Sequence, residues 1–201
     1  MNKLFSIMVF GAFLALSMNS VMGQNLEYDI MWLGKIGKLS INKSDTAGLV
    51  FIETNSEVKI PFYTFNWITS TTVLNGELKS SAYSQLLNGG KREFTEITQI
   101  NSNSWQMTNE KGNTDQINIH HPFYVSNLYF EEPVNISYVF SERFGEPLEL
   151  LNQGDGHYRL LLPEKNYCDY YYENGICKTV KAKNGSRTIK MVLVDQSEKK
   201  G

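Results

Sequence analysis

The stretch LEYDIMWLGKIGKLSI, at residues 26–41, carries the pattern that decides the fold. Every second residue from Leu26 to Trp32 is large and apolar, and this period of two is typical of a strand with one buried face. Gly34 and Gly37 bracket a turn, after which the alternation resumes. The stretch therefore predicts two consecutive strands joined by a turn.

Similar runs continue through the rest of the chain, and Asn-Gly pairs separate several of them. Because Asn-Gly suits the left-handed backbone of tight hairpin turns, these pairs predict antiparallel neighbours. The sequence predicts a mainly β fold of about ten or more strands, arranged as a single curved antiparallel sheet or a half-open barrel. The runs lie at 49–55, 94–100, 104–108, 115–119, 136–142, 157–163, 168–172, 177–182 and 188–194, and the Asn-Gly pairs at 75–76, 88–89, 174–175 and 184–185.

One segment departs from the strand pattern. The run HPFYVSNLYF, residues 121–130, is followed by Glu131-Glu132-Pro133, and it predicts a short helix or an irregular crossover near 121–133. A curved sheet must fill or cover its concave side. If the crossover is a mobile plug, the concavity is a pocket for an apolar ligand. If it is fixed, its apolar residues are core. The candidate ligand-binding residues are Phe123, Tyr124, Leu128, Tyr129 and Phe130.

The amino terminus predicts export. Residues 1–23 combine Lys3 with an apolar run of 13 residues, at 4–16, and a more polar end, which is the pattern of a signal peptide cleaved before Gln24. The apolar run is shorter than the roughly 20 residues that span a bilayer. Because residue 24 is not Cys, we expect no lipoprotein anchor, and we expect a periplasmic or extracellular mature chain that does not span a membrane. Its organisation is predicted as one β domain, 24–194, and a disordered tail, 195–201.

Charge and composition exclude several classes of protein. The chain has 21 acidic and 19 basic residues, and its net charge of −2 argues against an electrostatic attachment to nucleic acid or anionic lipid. Two cysteines are too few for a disulfide-dense scaffold. The sequence contains no nucleophile elbow, zinc-binding helix motif, phosphate loop or dinucleotide fingerprint. We therefore expect no catalytic residue, no metal and no cofactor.

Histidines and cysteines offer only weak candidates for chemistry. His120 and His121 are adjacent, so on a strand they would point to opposite faces and would not share a metal. If Asn174-Gly175 is a two-residue turn, Cys177 faces Tyr172, and Cys168 lies about 13 Å away, too far for a disulfide. A longer loop would bring the two cysteines together in an oxidising compartment. A Cys168–Cys177 disulfide is thus one of two open alternatives.

Several stretches together resemble an uncharacterised family of bacterial exported proteins, a domain of unknown function. That family is remotely similar to periplasmic half-barrel proteins of the lipoprotein-carrier type. The resemblance implies a curved antiparallel sheet with an apolar ligand in its concavity, and it supplies no catalytic residues. The matching stretches are LEYDIMWLGKIGKLSI (26–41), VLNGELKSSAY (73–83), NLYFEEP (127–133), SERFGE (141–146) and YYENGICKTV (171–180).

Three hypotheses of function follow. The first is an exported, non-enzymatic β-protein that binds an apolar ligand, such as a lipid, or an envelope protein. The second is a protein–protein interaction module of the cell envelope that uses an exposed strand edge. The third is an envelope hydrolase with a nonstandard acidic site, which predicts carboxyl groups with raised pKa values clustered in one cleft.

Overall fold

The computed structural model describes residues 22–120 and 123–195. The predicted signal segment up to residue 21, the predicted tail beyond 195, and His121 with Pro122 lie outside the described residues. The first strand begins at Met22, so the predicted cleavage site before Gln24 falls inside that strand.

The described residues form fourteen strands and two short 3-10 helices. The strands are β1 (Met22–Met31), β2 (Lys35–Thr46), β3 (Leu49–Ile60), β4 (Tyr63–Leu74), β5 (Glu77–Leu87), β6 (Gly90–Asn101), β7 (Ser104–Asn109), β8 (Thr114–Ile117), β9 (Tyr138–Ser141), β10 (Glu146–Gly154), β11 (His157–Leu161), β12 (Tyr167–Glu173), β13 (Ile176–Asn184) and β14 (Arg187–Leu193). The 3-10 helices are Val125–Tyr129 and Pro163–Lys165.

All fourteen strands belong to one antiparallel sheet. Its order is β8-β7-β6-β5-β4-β3-β2-β1-β14-β13-β12-β11-β10-β9. Strands β1 and β14 are neighbours at the centre, whereas β8 and β9 form the two edges and are joined by the crossover, residues 118–137. The sheet is not closed into a barrel. The predicted mainly β architecture, with a short helix in a crossover, is confirmed.

The apolar residues predicted by the alternation form the inner face of the sheet. Tyr28 and Ile30 of β1 are buried beside Leu39 and Ile41 of β2. Gly37 lies on the same face, where an added Cβ would overlap the carbonyl oxygen of Glu57 on β3. A side chain here would therefore separate β2 from β3.

The turns of the sheet lie at two opposite ends, which we call the upper end and the lower end. The upper end contains the turns at 32–34, 61–62, 88–89 and 185–186 and, toward the sheet edges, those at 110–113, 142–145 and 162–166. The lower end contains the turns at 47–48, 75–76, 102–103, 155–156 and 174–175. Because neighbouring strands are antiparallel and consecutive, turns alternate between the two ends along the chain. Within the described ranges, no helix combines the length and the apolar character needed to cross a membrane.

Candidate functional site

The crossover lies against the inner face and occupies the place where a ligand was expected. Leu128 is fully buried, and Tyr124 is 2% exposed. Phe123, Tyr129 and Phe130 are half-buried and pack against the apolar clusters of the sheet. In this structure Tyr124 and Leu128 are core residues, and the other three predicted ligand-binding residues lie half-buried against the same apolar clusters.

Hydrogen bonds hold the crossover in place. The Tyr172 hydroxyl donates to the carbonyl oxygen of Leu128, and the Tyr124 hydroxyl donates to that of Gly76 at 3.2 Å. The Tyr158 hydroxyl donates to Glu132 Oε1 at 3.0 Å. Each of these bonds joins the crossover to a strand or turn of the sheet. A ligand that entered the concavity would have to break them.

Tyrosines line the inner face beside the crossover. The ring of Tyr129 meets those of Tyr28 and Tyr170 edge-on, with centroid separations of 5.6 and 6.1 Å. Burial raises the pKa of all three phenols, so they stay protonated and act as packing groups and donors. Tyr28, for example, donates to the carbonyl oxygen of Cys177 at 2.8 Å.

A single buried carboxyl group links the crossover to β4. Glu142 is 3% exposed, and its Oε1 accepts hydrogen bonds from the Thr71 hydroxyl and the Ser126 N–H, both at 3.2 Å. Burial raises the pKa of Glu142, and these hydrogen bonds offset only part of the effect. Asp169 is also buried, but its pKa is lowered, because the hydrogen bonds and charge of Arg159 outweigh the effect of burial. The acidic-site hypothesis stays a prediction.

The two cysteines are free thiols. Tyr172 pairs with Cys177 and Glu173 with Ile176, which is the register of the two-residue turn, so Cys168 lies four residues farther along β12 than the partner of Cys177. The pair does not form a disulfide in this structure. Burial raises the pKa of both thiols to about 12, so neither is a reactive thiolate near neutral pH.

His157 lies on the outer face of the sheet, next to the ion pair of Arg159 and Asp169. His157 Nε2 lies 3.1 Å from Asp169 Oδ1 on the outer face, at an angle outside hydrogen-bond geometry. Arg159 holds the same carboxylate through two hydrogen bonds of 2.7 and 3.0 Å. Within the described ranges, no group of three or more potential metal-ligating side chains occurs.

The strand edges are short or covered. β8 has four mostly exposed residues, Thr114–Ile117, and two of them are Asp115 and Gln116. β9 is bridged by the crossover, where the Phe140 N–H donates to the Phe123 carbonyl at 2.8 Å. Short polar edges resist pairing with another chain. The edge-strand hypothesis therefore gains no support from these two strands.

The largest departure from ordinary burial is at the upper end. Leu33 is 97% exposed and Phe62 is 93% exposed, each at the tip of a hairpin. Trp32 and Tyr63, next to them, are 37% and 49% exposed. We call these four residues the apolar rim. Their two hairpins are adjacent in the sheet, about 10 Å apart at the usual strand spacing.

The backbone of the apolar rim is as unusual as its exposure. Leu33 has φ of 53° and Phe62 has φ of 70°, in the left-handed region that large side chains rarely adopt. The lower-end turns place Asn75-Gly76 and Asn174-Gly175 at such positions instead. Local energetics therefore do not explain the choice of Leu and Phe at the two upper tips.

A neighbouring hairpin fixes the Phe62 tip. The Asn88 N–H donates to the Thr64 carbonyl, and the Thr64 N–H donates to Asn88 Oδ1, both at 2.8 Å. Asn88 Nδ2 also donates to the Phe62 carbonyl at 3.3 Å. The exposed Phe is thus carried by a loop with defined hydrogen bonds.

Aromatic side chains continue from the rim along the inner face of β4. Phe65 and Trp67 stack with centroids 5.7 Å apart and planes 10° apart, and Tyr63 lies 6.2 Å from Phe65. Phe65 and Trp67 are half-buried. We call Tyr63, Phe65 and Trp67 the aromatic row. The rim and the row share Tyr63, and together they are the candidate site.

A family model described as a domain of unknown function, DUF6134, matches residues 28–194. The chain belongs to this family. The matched part of the DUF6134 domain includes the rim, the row and the crossover. The predicted membership of an uncharacterised domain family is confirmed.

Comparison of structures agrees with this fold. The DUF6134 domain is similar to the crystal structure of a beta-barrel-like protein of domain of unknown function DUF1849 from Brucella abortus, with a TM-score of 0.55 and 10% sequence identity. The alignment covers 87% of this chain and 96% of that one. At this identity the likeness shows the fold alone. No curated protein matches the sequence.

The sequence analysis of the DUF6134 domain missed the apolar rim. A signal was present, since Leu33-Gly34 and Pro61-Phe62 stand at hairpin tips where three other turns, at 75–76, 88–89 and 174–175, have Asn-Gly. A large apolar residue in such a turn opposes local preference. The missing information was that these two turns lie side by side.

Proposed function

We propose that this protein is an exported, non-enzymatic binding protein of the cell envelope, and that it takes a lipid-type apolar ligand at the apolar rim and aromatic row. The observation that carries the proposal is the exposure of Leu33 and Phe62, 97% and 93%, at adjacent hairpin tips, the second of which is held in place by Asn88. The proposed position lies beside the crossover rather than on it, because hydrogen bonds of Tyr124, Tyr158 and Tyr172 tie the crossover to the sheet.

Energetics support an apolar ligand at this surface. Burial of a Leu or Phe side chain contributes about 1.5–3 kcal/mol relative to exposure. A left-handed backbone costs an ordinary residue roughly 1–2 kcal/mol more. Leu33 and Phe62 carry both costs in the isolated chain. A ligand that covers the two side chains offsets the first cost.

The shape of the aromatic row favours an extended chain. Tyr63, Phe65 and Trp67 occupy alternate positions of one strand, so the row is about 13 Å long at 3.3 Å per residue. The stacked planes of Phe65 and Trp67 present flat, narrow ring surfaces. Such a row suits an acyl chain lying along the strand better than a compact ring system.

Two further observations support the remaining parts of the proposal. The predicted signal peptide, residues 1–23, supports export to an envelope that is rich in lipid. The lack of a recognised catalytic motif in the sequence supports binding rather than catalysis.

The test is native mass spectrometry of the exported protein after gentle purification, followed by organic extraction. We expect a reproducible extra mass that extracts as lipid, and we expect it to be lost in Phe65→Ser/Trp67→Ser. Phe51→Ser, which changes a 41% exposed Phe near the lower end, is the matched control and should keep the mass. A bare protein mass, together with no binding of an added fluorescent fatty acid, would contradict the proposal.

A further inference from the structure

The two ends of the sheet carry opposite charges, although the whole chain is nearly neutral. Four neighbouring upper hairpins read KNGSR (183–187), WLGK (32–35), KIPFY (59–63) and LNGGKR (87–92), with six basic residues and no acidic one. Four lower hairpins read DTAGL (45–49), LNGE (74–77), GDGH (154–157) and ENGI (173–176), with four acidic residues and no Lys or Arg, and Lys79, Arg159 and Lys178 follow two residues beyond the last three of these stretches. Positive charge therefore surrounds the apolar rim.

Most of this positive charge is not neutralised locally. Lys35 is paired with Asp29 at 2.6 Å and Lys59 with Glu57 at 2.7 Å, in partly exposed ion pairs. The other four basic residues form no salt bridge to any described residue: Lys91, Arg92, Lys183 and Arg187.

The remaining rim residues are of the types that favour a lipid–water interface. Trp32 and Tyr63 flank the fully exposed Leu33 and Phe62. Trp and Tyr are enriched where apolar chains meet headgroups. Arg187 lies over the Trp32 ring, with 5.8 Å between its guanidinium carbon and the ring centroid. A basic group thus stands directly beside an aromatic one at the tip.

We propose that the upper end docks on the surface of an anionic lipid bilayer, with Leu33 and Phe62 inserted among the acyl chains and the surrounding Lys and Arg side chains on headgroup phosphates. This inference rests on the proposed function, because it uses the same rim, and it adds the partner and the orientation. The acidic lower end faces away from the bilayer. The net charge of −2 argues against binding to anionic lipid only if the charges are evenly distributed over the surface of the protein.

The experiment is co-sedimentation of the exported protein with vesicles of phosphatidylcholine alone or mixed equally with phosphatidylglycerol. We expect tighter binding to the anionic vesicles, and weaker binding as salt rises. Leu33→Asn/Phe62→Asn should weaken binding at least about tenfold, since it removes two inserted side chains. The matched control is Leu49→Asn/Leu74→Asn, which changes two residues that are 46% and 37% exposed at the lower end, and it should bind normally.

A second pair of variants tests the charges. Arg92→Gln/Arg187→Gln should lower affinity for anionic vesicles about tenfold and leave affinity for neutral vesicles unchanged. Lys79→Gln/Lys178→Gln, toward the lower end, is the control and should have little effect. Equal affinity for both vesicle types, or vesicle binding that survives the loss of Leu33 and Phe62, would overturn the inference.

The outcomes separate this inference from the proposed function. If the protein binds a fluorescent fatty acid, and substitutions in the aromatic row abolish that binding, but the protein does not bind vesicles, then the proposed function stands and the docking inference fails. If neither the fatty acid nor the vesicles bind, both fail.

Discussion

The tripeptide Pro-Phe-Tyr occurs twice, at 61–63 and 122–124, and the two copies differ in the solvent exposure of their aromatic side chains. In the rim copy Phe62 is 93% exposed and Tyr63 is 49% exposed, whereas in the crossover copy Phe123 is half-buried and Tyr124 is 2% exposed. The first copy forms a hairpin tip, and Phe123 and Tyr124 of the second pack against the inner face of the sheet. The same residues are therefore binding surface or core according to their place in the topology. Substitutions in the two regions should have opposite effects.

The largest expected effect is in the crossover. Leu128→Ala removes a fully buried side chain, so we expect the free energy of unfolding to fall by about 2–5 kcal/mol. Urea unfolding measures it, and vesicle binding by the folded variant should be unchanged. Leu49→Ala, at a 46% exposed position, is the control and should change stability by less than about 0.5 kcal/mol. A small loss for Leu128→Ala would mean that the crossover is not core.

Tyr172→Phe tests the tether of the crossover. The change leaves the buried carbonyl oxygen of Leu128 without its donor, and an unsatisfied buried group costs about 1–3 kcal/mol. Urea unfolding measures the loss of stability here as well. Tyr171→Phe, on the outer face of the same strand, should be much milder, and equal losses would argue against the tether.

Because of Glu142, the free energy of unfolding should depend on pH. Since its folded-state pKa lies above the ordinary value of 4.5, its stabilising effect is present below that pH and is lost as the pH rises through the raised pKa. One such proton contributes a slope of up to about 1.4 kcal/mol per pH unit. Unfolding measured from pH 4.5 upward should therefore show a fall in stability that Glu142→Gln lacks. Parallel curves for the two proteins would contradict this.

The smallest expected effect is a gain at the rim. Leu33→Asn places in a left-handed position a residue that tolerates it, so stability should rise by about 1 kcal/mol or less while vesicle binding falls. Asn75→Leu, the reverse change in a lower turn with φ of 51°, should lower stability. A stability loss for Leu33→Asn would mean that Leu33 supports the fold.

Much of the fold was predictable from alternation and turn residues. The hairpin at Asn174-Gly175 and the crossover near 121–133 follow from local preference, because a two-residue turn and a proline-flanked aromatic run have few alternatives. Strands β4, β5 and β10 were missed. β4 and β5 are rich in Ser and Thr, and Thr71 and Ser81 face the interior, so the apolar alternation that begins β4 does not continue through these two strands.

The candidate site was less predictable than the fold. The sequence points to Phe123 and Tyr124 because they lie in an irregular apolar segment, but it does not reveal that Leu128 and its neighbours are tied to the sheet by hydrogen bonds. The rim depends on the adjacency of two hairpins and on exposure, and the charge difference depends on which turns share an end. Hairpin adjacency and the grouping of turns depend on the order of strands in the sheet. Composition and net charge contain no information about that order.

The most direct test of the rim is tryptophan quenching by vesicles of brominated anionic phospholipid. The three tryptophans are Trp32 at the rim, Trp67 in the aromatic row and Trp105, which is 4% exposed in the core. We predict strong quenching in the unmodified protein and loss of the larger part of it in Trp32→Phe. Bound protein without quenching, or quenching that Trp32→Phe leaves intact, would contradict the docking of the apolar rim.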